Sequence, residues 1–166
     1  MATPTNLPAA FVSGAILTAD QMNNLRGAFR VLQVVTGATN TTVSNSTTTL
    51  ADTGLTATIT PQSATSKILV LVNQSFSKTA GNANNAVVST ITRDSTNIFT
   101  FQGAALYTGT TVDMVGSAAS AIVLDSPATT SATTYKTRFA NFTAAASVGA
   151  NPNTAGATII LMEISA

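Results

Sequence analysis

The stretch Leu55-Thr-Ala-Thr-Ile-Thr60 alternates apolar and hydroxyl side chains with a period of two, which is the pattern of a half-buried β-strand. We expect Leu55, Ala57 and Ile59 to point into a core and the threonines between them to point outward. Pro61 is expected to end the strand, because proline has no backbone N–H to donate to a sheet. The chain from residue 31 onward continues in this manner, as short strands separated by turn residues.

Two other stretches, Lys67–Val72 and Thr158–Met162, are apolar at consecutive positions. Consecutive side chains point to opposite faces of a strand, so both faces of these strands need cover. We predict two central strands whose outer face is covered by a second layer or by another subunit. Such runs are far shorter than the roughly 20 residues that a membrane-spanning helix needs, so no membrane contact is expected.

Turn residues predict how some of the strands are connected. Val87–Thr92 and Asn97–Phe101 flank the polar turn Arg93-Asp-Ser-Thr96, which is typical of a hairpin. Ala121–Leu124 and Thr134–Phe139 repeat this arrangement, which predicts a second hairpin. With strands at spacings of roughly 8 to 12 residues and no helices between them, the fold class is predicted to be an all-β antiparallel β-sandwich or jelly roll, with a barrel second.

Residues 1–17 do not share this pattern. They contain two prolines and scattered apolar residues with no helical or strand period, which predicts an extended arm. Free termini are usually polar. Apolar side chains in this arm are therefore expected to dock, either on the domain of the same chain or on a larger assembly.

A short α-helix is predicted over residues 18–30. Thr18 and Gln21 suit the first and last positions of a capping box, and an apolar stripe follows at spacings of three and four. A helix of roughly 12 residues is marginal alone, and Gly27 weakens it by about 1 kcal/mol relative to alanine. Its stripe must therefore pack on the β domain or on copies of itself. The predicted attachment and oligomer contacts are Leu7, Phe11, Ile16, Leu17, Met22, Leu25 and Phe29.

These patterns divide the chain into two parts, with residues 1–30 as an attachment arm and helix and residues 31–166 as the β-sandwich domain.

Composition argues against an enzyme, because only 8% of the residues are charged and none is histidine or cysteine. No metal or cofactor is expected, and a net charge of +1 gives no basic patch for nucleic acid. Asp94 and Asp125 are interpreted as turn residues that accept local backbone hydrogen bonds.

Several short segments are similar to a recurrent pattern in one group of proteins. They are Asp52–Pro61, Ser66–Val72, Ile91–Thr96, Leu124–Pro127, Thr134–Lys136, Ile159–Ile164 and, as an attachment segment, Ser13–Asn23. In these segments the chain resembles virion proteins of tailed bacteriophages, particularly small fibre, decoration and tail-associated β proteins of marine and cyanobacterial phages. The resemblance implies a trimer of jelly-roll heads, similar to the trimeric heads of tumour necrosis factor and complement C1q, with N-terminal segments joined to the particle.

The expected function is that of a non-enzymatic structural protein of a phage virion, assembled in the cytoplasm of the bacterial host. It would be a homotrimer that decorates or cements the capsid or forms a head fibre, with its arm bound to the major capsid protein or another virion protein. The alternative is a tail-fibre or fibre-tip protein that recognises a host surface glycan. Its receptor site would then lie in the loops Ser77–Asn85, Gly103–Thr111 and Thr143–Thr154, with Tyr107 as the best exposed aromatic candidate.

Overall fold

The computed structural model describes residues 14, 16, 31–79, 83–111, 114–143 and 147–165. The predicted arm and helix of residues 1–30 lie outside this set, except for Gly14 and Ile16. Within the described residues the chain forms ten strands and one short 3-10 turn at Pro152–Thr154. The strands are β1 (Val31–Thr39), β2 (Val43–Asn45), β3 (Ala51–Ile59), β4 (Lys67–Lys78), β5 (Asn85–Arg93), β6 (Thr96–Thr108), β7 (Val115–Asp125), β8 (Thr133–Asn141), β9 (Val148–Ala150) and β10 (Ala157–Ile164).

The strands form two antiparallel sheets. Sheet A has the order β1-β10-β4-β9-β2, with β7 paired to the other edge of β4, and sheet B has the order β3-β8-β5-β6. Strand β4 is central, because it pairs with β10, β7 and β9. The prediction that Lys67–Val72 and Thr158–Met162 form central strands is therefore confirmed.

The two sheets pack face to face as a β-sandwich, and the predicted all-β class is confirmed. Leu55, Ala57 and Ile59 of β3 are buried, while the threonines between them are exposed, as the alternation predicts. One hydrophobic cluster joins the inner faces of both sheets, with Val70 and Leu161 from sheet A and Tyr135 from sheet B among its members. This cluster holds the sheets together by removing apolar surface from water.

Polar side chains also connect the two inner faces. Thr137 of β8 donates from its hydroxyl to Gln74 Oε1 of β4 over 2.7 Å, and Gln74 Nε2 donates to Asn151 Oδ1 over 2.9 Å. All three residues are fully or almost fully buried. Because a buried polar group without a partner is costly, these bonds favour one alignment of the two sheets.

One predicted hairpin is present and the other is not. Strands β5 and β6 pair across the tight turn at Asp94 and Ser95, which confirms the first prediction. The second prediction is wrong, because β7 pairs with β4 in sheet A whereas β8 pairs with β3 and β5 in sheet B. The segment 126–132 between β7 and β8 is long enough to cross from one sheet to the other, and turn residues alone do not distinguish a hairpin from a crossing.

Candidate interaction surface

The outer faces of the two sheets differ in chemistry. An antiparallel sheet with one solvated face should carry polar side chains there. Sheet B follows this rule, since Thr56, Thr58 and Thr134 lie on its outer face beside Lys136 and Arg138. Sheet A departs from this rule, because its outer face carries apolar side chains where β1, β10, β4 and β7 lie side by side.

The register of sheet A aligns the outward apolar side chains in two rows across the strands. Val34 is opposite Met162, Met162 opposite Leu69, and Leu69 opposite Leu124. In the next outward row Ile160 is opposite Leu71, and Leu71 is opposite Ile122, with Thr36 at the β1 end. We call these seven apolar residues the apolar face: Val34, Leu69, Leu71, Ile122, Leu124, Ile160 and Met162.

Every member of the apolar face is exposed or half-buried, and Ile122 is 68% exposed. Polar residues border the face at both ends of the strands. At one end Lys67 Nζ donates to Ser126 Oγ over 2.7 Å. At the other end lies a row of Thr158, Asn73 and Ser120. Between this polar row and the row of Ile160, Leu71 and Ile122 the surface dips into a shallow depression of about 220 Å³.

The predicted contacts in the N-terminal residues precede β1 in the sequence. Residues 1–30 lead directly into β1, an edge strand of sheet A. Ile16 is 92% exposed. The other six predicted contacts, Leu7, Phe11, Leu17, Met22, Leu25 and Phe29, lie outside the described residues, so their role stays a prediction.

The charged side chains that the structure describes are all engaged within the fold. Three of the contacts are ion pairs, one with Asp125 and two with Asp52, and the others are hydrogen bonds to neutral groups. The contacts are Arg93 with Asp125, Lys136 and Arg138 with Asp52, Lys67 with Ser126, Lys78 with Thr108, Asp94 with the backbone N–H of Thr134, and Glu163 with Gln33 and Gln62. The surface of the described sandwich is thus largely hydroxyl and apolar.

Asp125 has a role that the sequence did not indicate. It lies at the end of β7, where Arg93 Nη1 is 2.8 Å from its Oδ2 and the Tyr135 hydroxyl donates to the same oxygen over 2.7 Å. Burial and this hydrogen bond raise the pKa of Tyr135 well above its usual range. The interpretation of Asp125 as a locally bonded turn residue is therefore wrong, and Asp94 likewise accepts its bond from the distant Thr134.

Glu163 is a fully buried carboxylate on the inner face of β10. Its Oε2 accepts from Gln33 Nε2 over 2.6 Å, and its Oε1 accepts from the backbone N–H of Gln62 over 2.8 Å. Burial alone would raise the pKa of Glu163, but these hydrogen bonds to the charged form hold it below its usual range. The carboxylate therefore attaches β1 and the β3–β4 loop to β10.

The described parts of the three segments predicted as glycan-binding loops meet at one end of the sandwich, although residues 103–108 belong to strand β6 and not to a loop. The rings of Tyr107 and Phe142 contact each other edge to face, with centroids 6.3 Å apart, and both are exposed. The Tyr107 hydroxyl donates to Asn84 Oδ1 over 3.3 Å, and the Thr143 N–H donates to Asn85 Oδ1 over 3.2 Å. Leu106, next to Tyr107, has a φ of 60°, which is strained for a side chain of this kind.

Among the described residues, no three acidic side chains come together as potential metal ligands. The described part of the chain likewise contains no helix with the length and hydrophobicity that crossing a bilayer requires. No protein-family model matches the chain, and no curated protein matches it either.

Proposed function

We propose that this chain is a non-enzymatic structural protein of a phage virion, displayed in many copies as a homotrimer that decorates or cements the capsid. The observation that carries the proposal is that every described charged side chain makes an ion pair or a hydrogen bond with another residue of the fold. The remaining surface of hydroxyl and apolar groups adds little charge. Copies on one lattice multiply any net charge they carry, so a near-neutral surface limits repulsion between neighbours.

The course of the chain supports the jelly-roll form of the sandwich. Four strands of sheet A, in the order β1-β10-β4-β7, face the order β3-β8-β5-β6 in sheet B. The chain crosses between the sheets six times, from β2 to β3, from β3 to β4, from β4 to β5, from β6 to β7, from β7 to β8 and from β8 to β9. Repeated crossings of this kind are expected of two interlocked Greek keys.

Attachment is assigned to residues 1–17, with Leu7, Phe11 and Ile16 as the apolar contacts to the major capsid protein or another virion protein. One arm of this size can bury only a few apolar side chains. Three arms joined in one trimer bind a repeating lattice by avidity, because the second and third contacts form at a high effective concentration.

The test uses particles of the encoding phage that lack this protein. Purified full-length protein should sediment with these particles, whereas a variant without residues 1–17 should remain a folded trimer in native mass spectrometry and stay in the supernatant. Equal binding by the truncated variant would overturn the attachment role. Mass spectrometry of intact virions should find the protein in hundreds of copies, and its absence from virions would overturn the proposal as a whole.

Salt dependence gives a second test of the same proposal. Contacts made by hydroxyl and apolar groups are weakly screened, so particle binding should change little between low and high sodium chloride. A steep loss of binding with salt would indicate that charged groups make the contact. The variant Asp52→Asn, which changes a half-exposed ion pair on the outer face of sheet B, serves as a control for general charge effects.

A second candidate function is favoured by the exposed pair of Tyr107 and Phe142. Sugar rings stack on aromatic faces, and the side chain of Asn84 beside Tyr107 supplies polar groups for hydroxyls. In this alternative the protein lies at a fibre tip and binds a host surface glycan. A glycan array probed with the full-length protein and with Tyr107→Ala tests it, since specific binding that the substitution removes supports a receptor site. Tyr107→Ala should leave particle binding unchanged if attachment resides in residues 1–17.

A further inference from the structure

We propose that the apolar face of sheet A docks a second copy of this chain, and that the second copy contributes the side of its own sandwich where β6 and β7 lie. The assignment rests on the homotrimer of the proposed function, because it names the two surfaces through which the copies contact each other. A difference between the edge strands of sheet B leads to it.

The two edge strands of sheet B are covered to different degrees. Strand β3 has four buried inward side chains, which are Thr53, Leu55, Ala57 and Ile59. Strand β6 is the other edge of the same sheet, and each of its 13 residues is exposed or half-buried. Exposed apolar surface that is contiguous marks a site of interaction with another molecule. The sandwich is therefore closed at β3 and open at β6.

Core residues reach the surface at this opening. The ring of Phe101 contacts the buried ring of Phe76, with centroids 5.9 Å apart, yet Phe101 itself is only half-buried. Strand β7 of sheet A contacts β6 across the opening, and both strands contribute half-buried apolar side chains that pack against the core clusters. We call five of these residues the open side: Ile98, Phe101, Ala105, Ala119 and Val123.

Strand β7 joins the open side to the apolar face. Val123 is opposite the buried Val70 of β4 and points between the sheets, whereas its neighbours Ile122 and Leu124 point outward on the apolar face. The two apolar surfaces therefore meet along β7, at one corner of the sandwich.

This corner favours a contact between two different surfaces. A twofold contact uses the same patch on both copies, so it would cover the apolar face or the open side and leave the other in water. When the open side of one copy lies on the apolar face of the next, a closed ring covers both surfaces on every copy. A homotrimer is such a ring.

The charges of the two surfaces are those that identical copies can share. Copies of one chain have the same charges at the same positions, so charged groups on a shared surface repel or lose water. Strand β6 has no charged residue, and the one charged residue of β7, Asp125, already binds Arg93. Neutral polar residues border the apolar face at the row of Thr158, Asn73 and Ser120. An apolar centre with few charges and a polar rim is typical of the interface between two proteins.

The size of the apolar face also fits this contact. Four strands spaced about 4.8 Å apart and two rows of outward side chains cover roughly 19 by 14 Å. A polar rim about 5 Å wide, the width of one strand, enlarges this area to roughly 29 by 24 Å, or about 700 Å². A stable interface buries about 800 Å² on each partner. The open side is of similar length, since residues 98–105 of β6 span about 27 Å.

Crosslinking between two single-cysteine chains tests the contact, because the native chain has no cysteine. Thr158→Cys places a thiol in the polar row beside the apolar face, and Ala105→Cys places one on the open side. The two full-length variants, one of them isotope-labelled, are co-folded as a mixture and treated with a bismaleimide. We expect peptides that join position 158 of one chain to position 105 of another. The matched mixture of Thr58→Cys, on the outer face of sheet B, with Ala105→Cys should give no such product.

The products also distinguish other occupants of the apolar face. Pairs that join position 158 only to position 158 would show a twofold contact of two faces and overturn the proposal. A trimer without the 158–105 product would overturn these contact surfaces and leave the proposed function standing. A native chain that stays monomeric at all concentrations would overturn the homotrimer itself, whereas absence from virions concerns the proposed function alone.

The oligomeric state gives an independent readout. Ile122 is 68% exposed in the single chain, so Ile122→Asn should leave the sandwich folded and remove an apolar contact between copies. We expect the dissociation constant of the assembly to rise tenfold or more in sedimentation experiments, with an unchanged circular dichroism spectrum. Thr58→Asn, at an exposed strand position on sheet B, is the matched control and should assemble as the native chain does. Equal assembly of the two variants would overturn the proposal.

Discussion

Tyr135 donates its hydroxyl hydrogen to Asp125 Oδ2 over 2.7 Å, although the two residues belong to opposite sheets. Arg93, the neighbour of Tyr135 across strands β5 and β8, binds the same carboxylate. One carboxylate at the end of β7 thus connects sheet A to two strands of sheet B. This position has more structural importance than the half-exposed ion pairs of Asp52 on the outer face of sheet B.

Substituting these two aspartates should therefore have unequal effects on stability. Asp125→Asn removes the charge from a carboxylate that is 12% exposed and leaves Arg93 without its counter-ion, so we expect the free energy of unfolding to fall by about 3 kcal/mol. Asp52→Asn acts on a carboxylate that is 50% exposed and should cost less than about 1 kcal/mol. Urea denaturation of both variants at one protein concentration measures the difference, and equal losses would contradict the assigned role of Asp125.

The raised pKa of Tyr135 predicts a loss of stability at high pH. In the unfolded chain a tyrosine ionises near pH 10, whereas the folded protein keeps Tyr135 protonated. The folded state then binds the extra proton, so the contribution of Tyr135 to stability is constant below about pH 10 and decreases as the pH rises further. The variant Tyr107→Phe leaves Tyr135 as the one tyrosine of the chain. Its phenolate absorbance should appear together with unfolding, and a gradual titration of the folded protein would contradict the prediction.

The lowered pKa of Glu163 predicts a loss of stability at low pH. Its pKa is lower in the folded protein than in the unfolded chain, where a glutamate ionises near pH 4.3. Its contribution to stability is therefore present above about pH 4.3 and is lost as the pH falls through the folded value. Glu163→Gln leaves one of the two donors from Gln33 and Gln62 without an acceptor, so it should cost about 1 to 3 kcal/mol at pH 7 and reduce the slope of stability between pH 5 and pH 3. Thermal melts across this range measure both effects, and an unchanged slope would contradict the assignment.

Gly37 lies in β1 at a position where the backbone of β3 is close to it. A Cβ added there would lie 1.9 Å from the backbone oxygen of Thr56, so a backbone segment must shift to accommodate it. Gly37→Ala should lower the free energy of unfolding by about 1 to 3 kcal/mol, as overpacking does. Gly103→Ala in β6, where an added Cβ meets nothing within 4 Å, is the matched control and should stay within about 0.5 kcal/mol of the native protein. Similar effects of the two substitutions in chemical denaturation would show that the sheets do not meet closely at Gly37.

Local patterns predicted much of the fold and little of the candidate surface. The alternation in β3 identified buried side chains correctly, because successive side chains of a strand point to opposite faces of the sheet. The apolar runs of β4 and β10 correctly indicated two central strands, whereas the cover of their outer sides stays a prediction. The sequence could not predict the size of the apolar face on sheet A. The face includes Ile122 and Leu124 of β7 only because β7 pairs with β4.

The sequence by itself determined that the chain forms strands, which side of each strand is apolar, and that its charges are few. Only the tertiary structure decided which strands are neighbours, so it alone brought Tyr135 to Asp125, Gln33 to Glu163, and Val34, Met162, Leu69 and Leu124 into one row. The physical reason is that side-chain alternation is a property of consecutive residues. Pairing between distant strands is decided by the packing of the whole chain, where a single wrong partner would leave carboxylates such as Glu163 buried without donors.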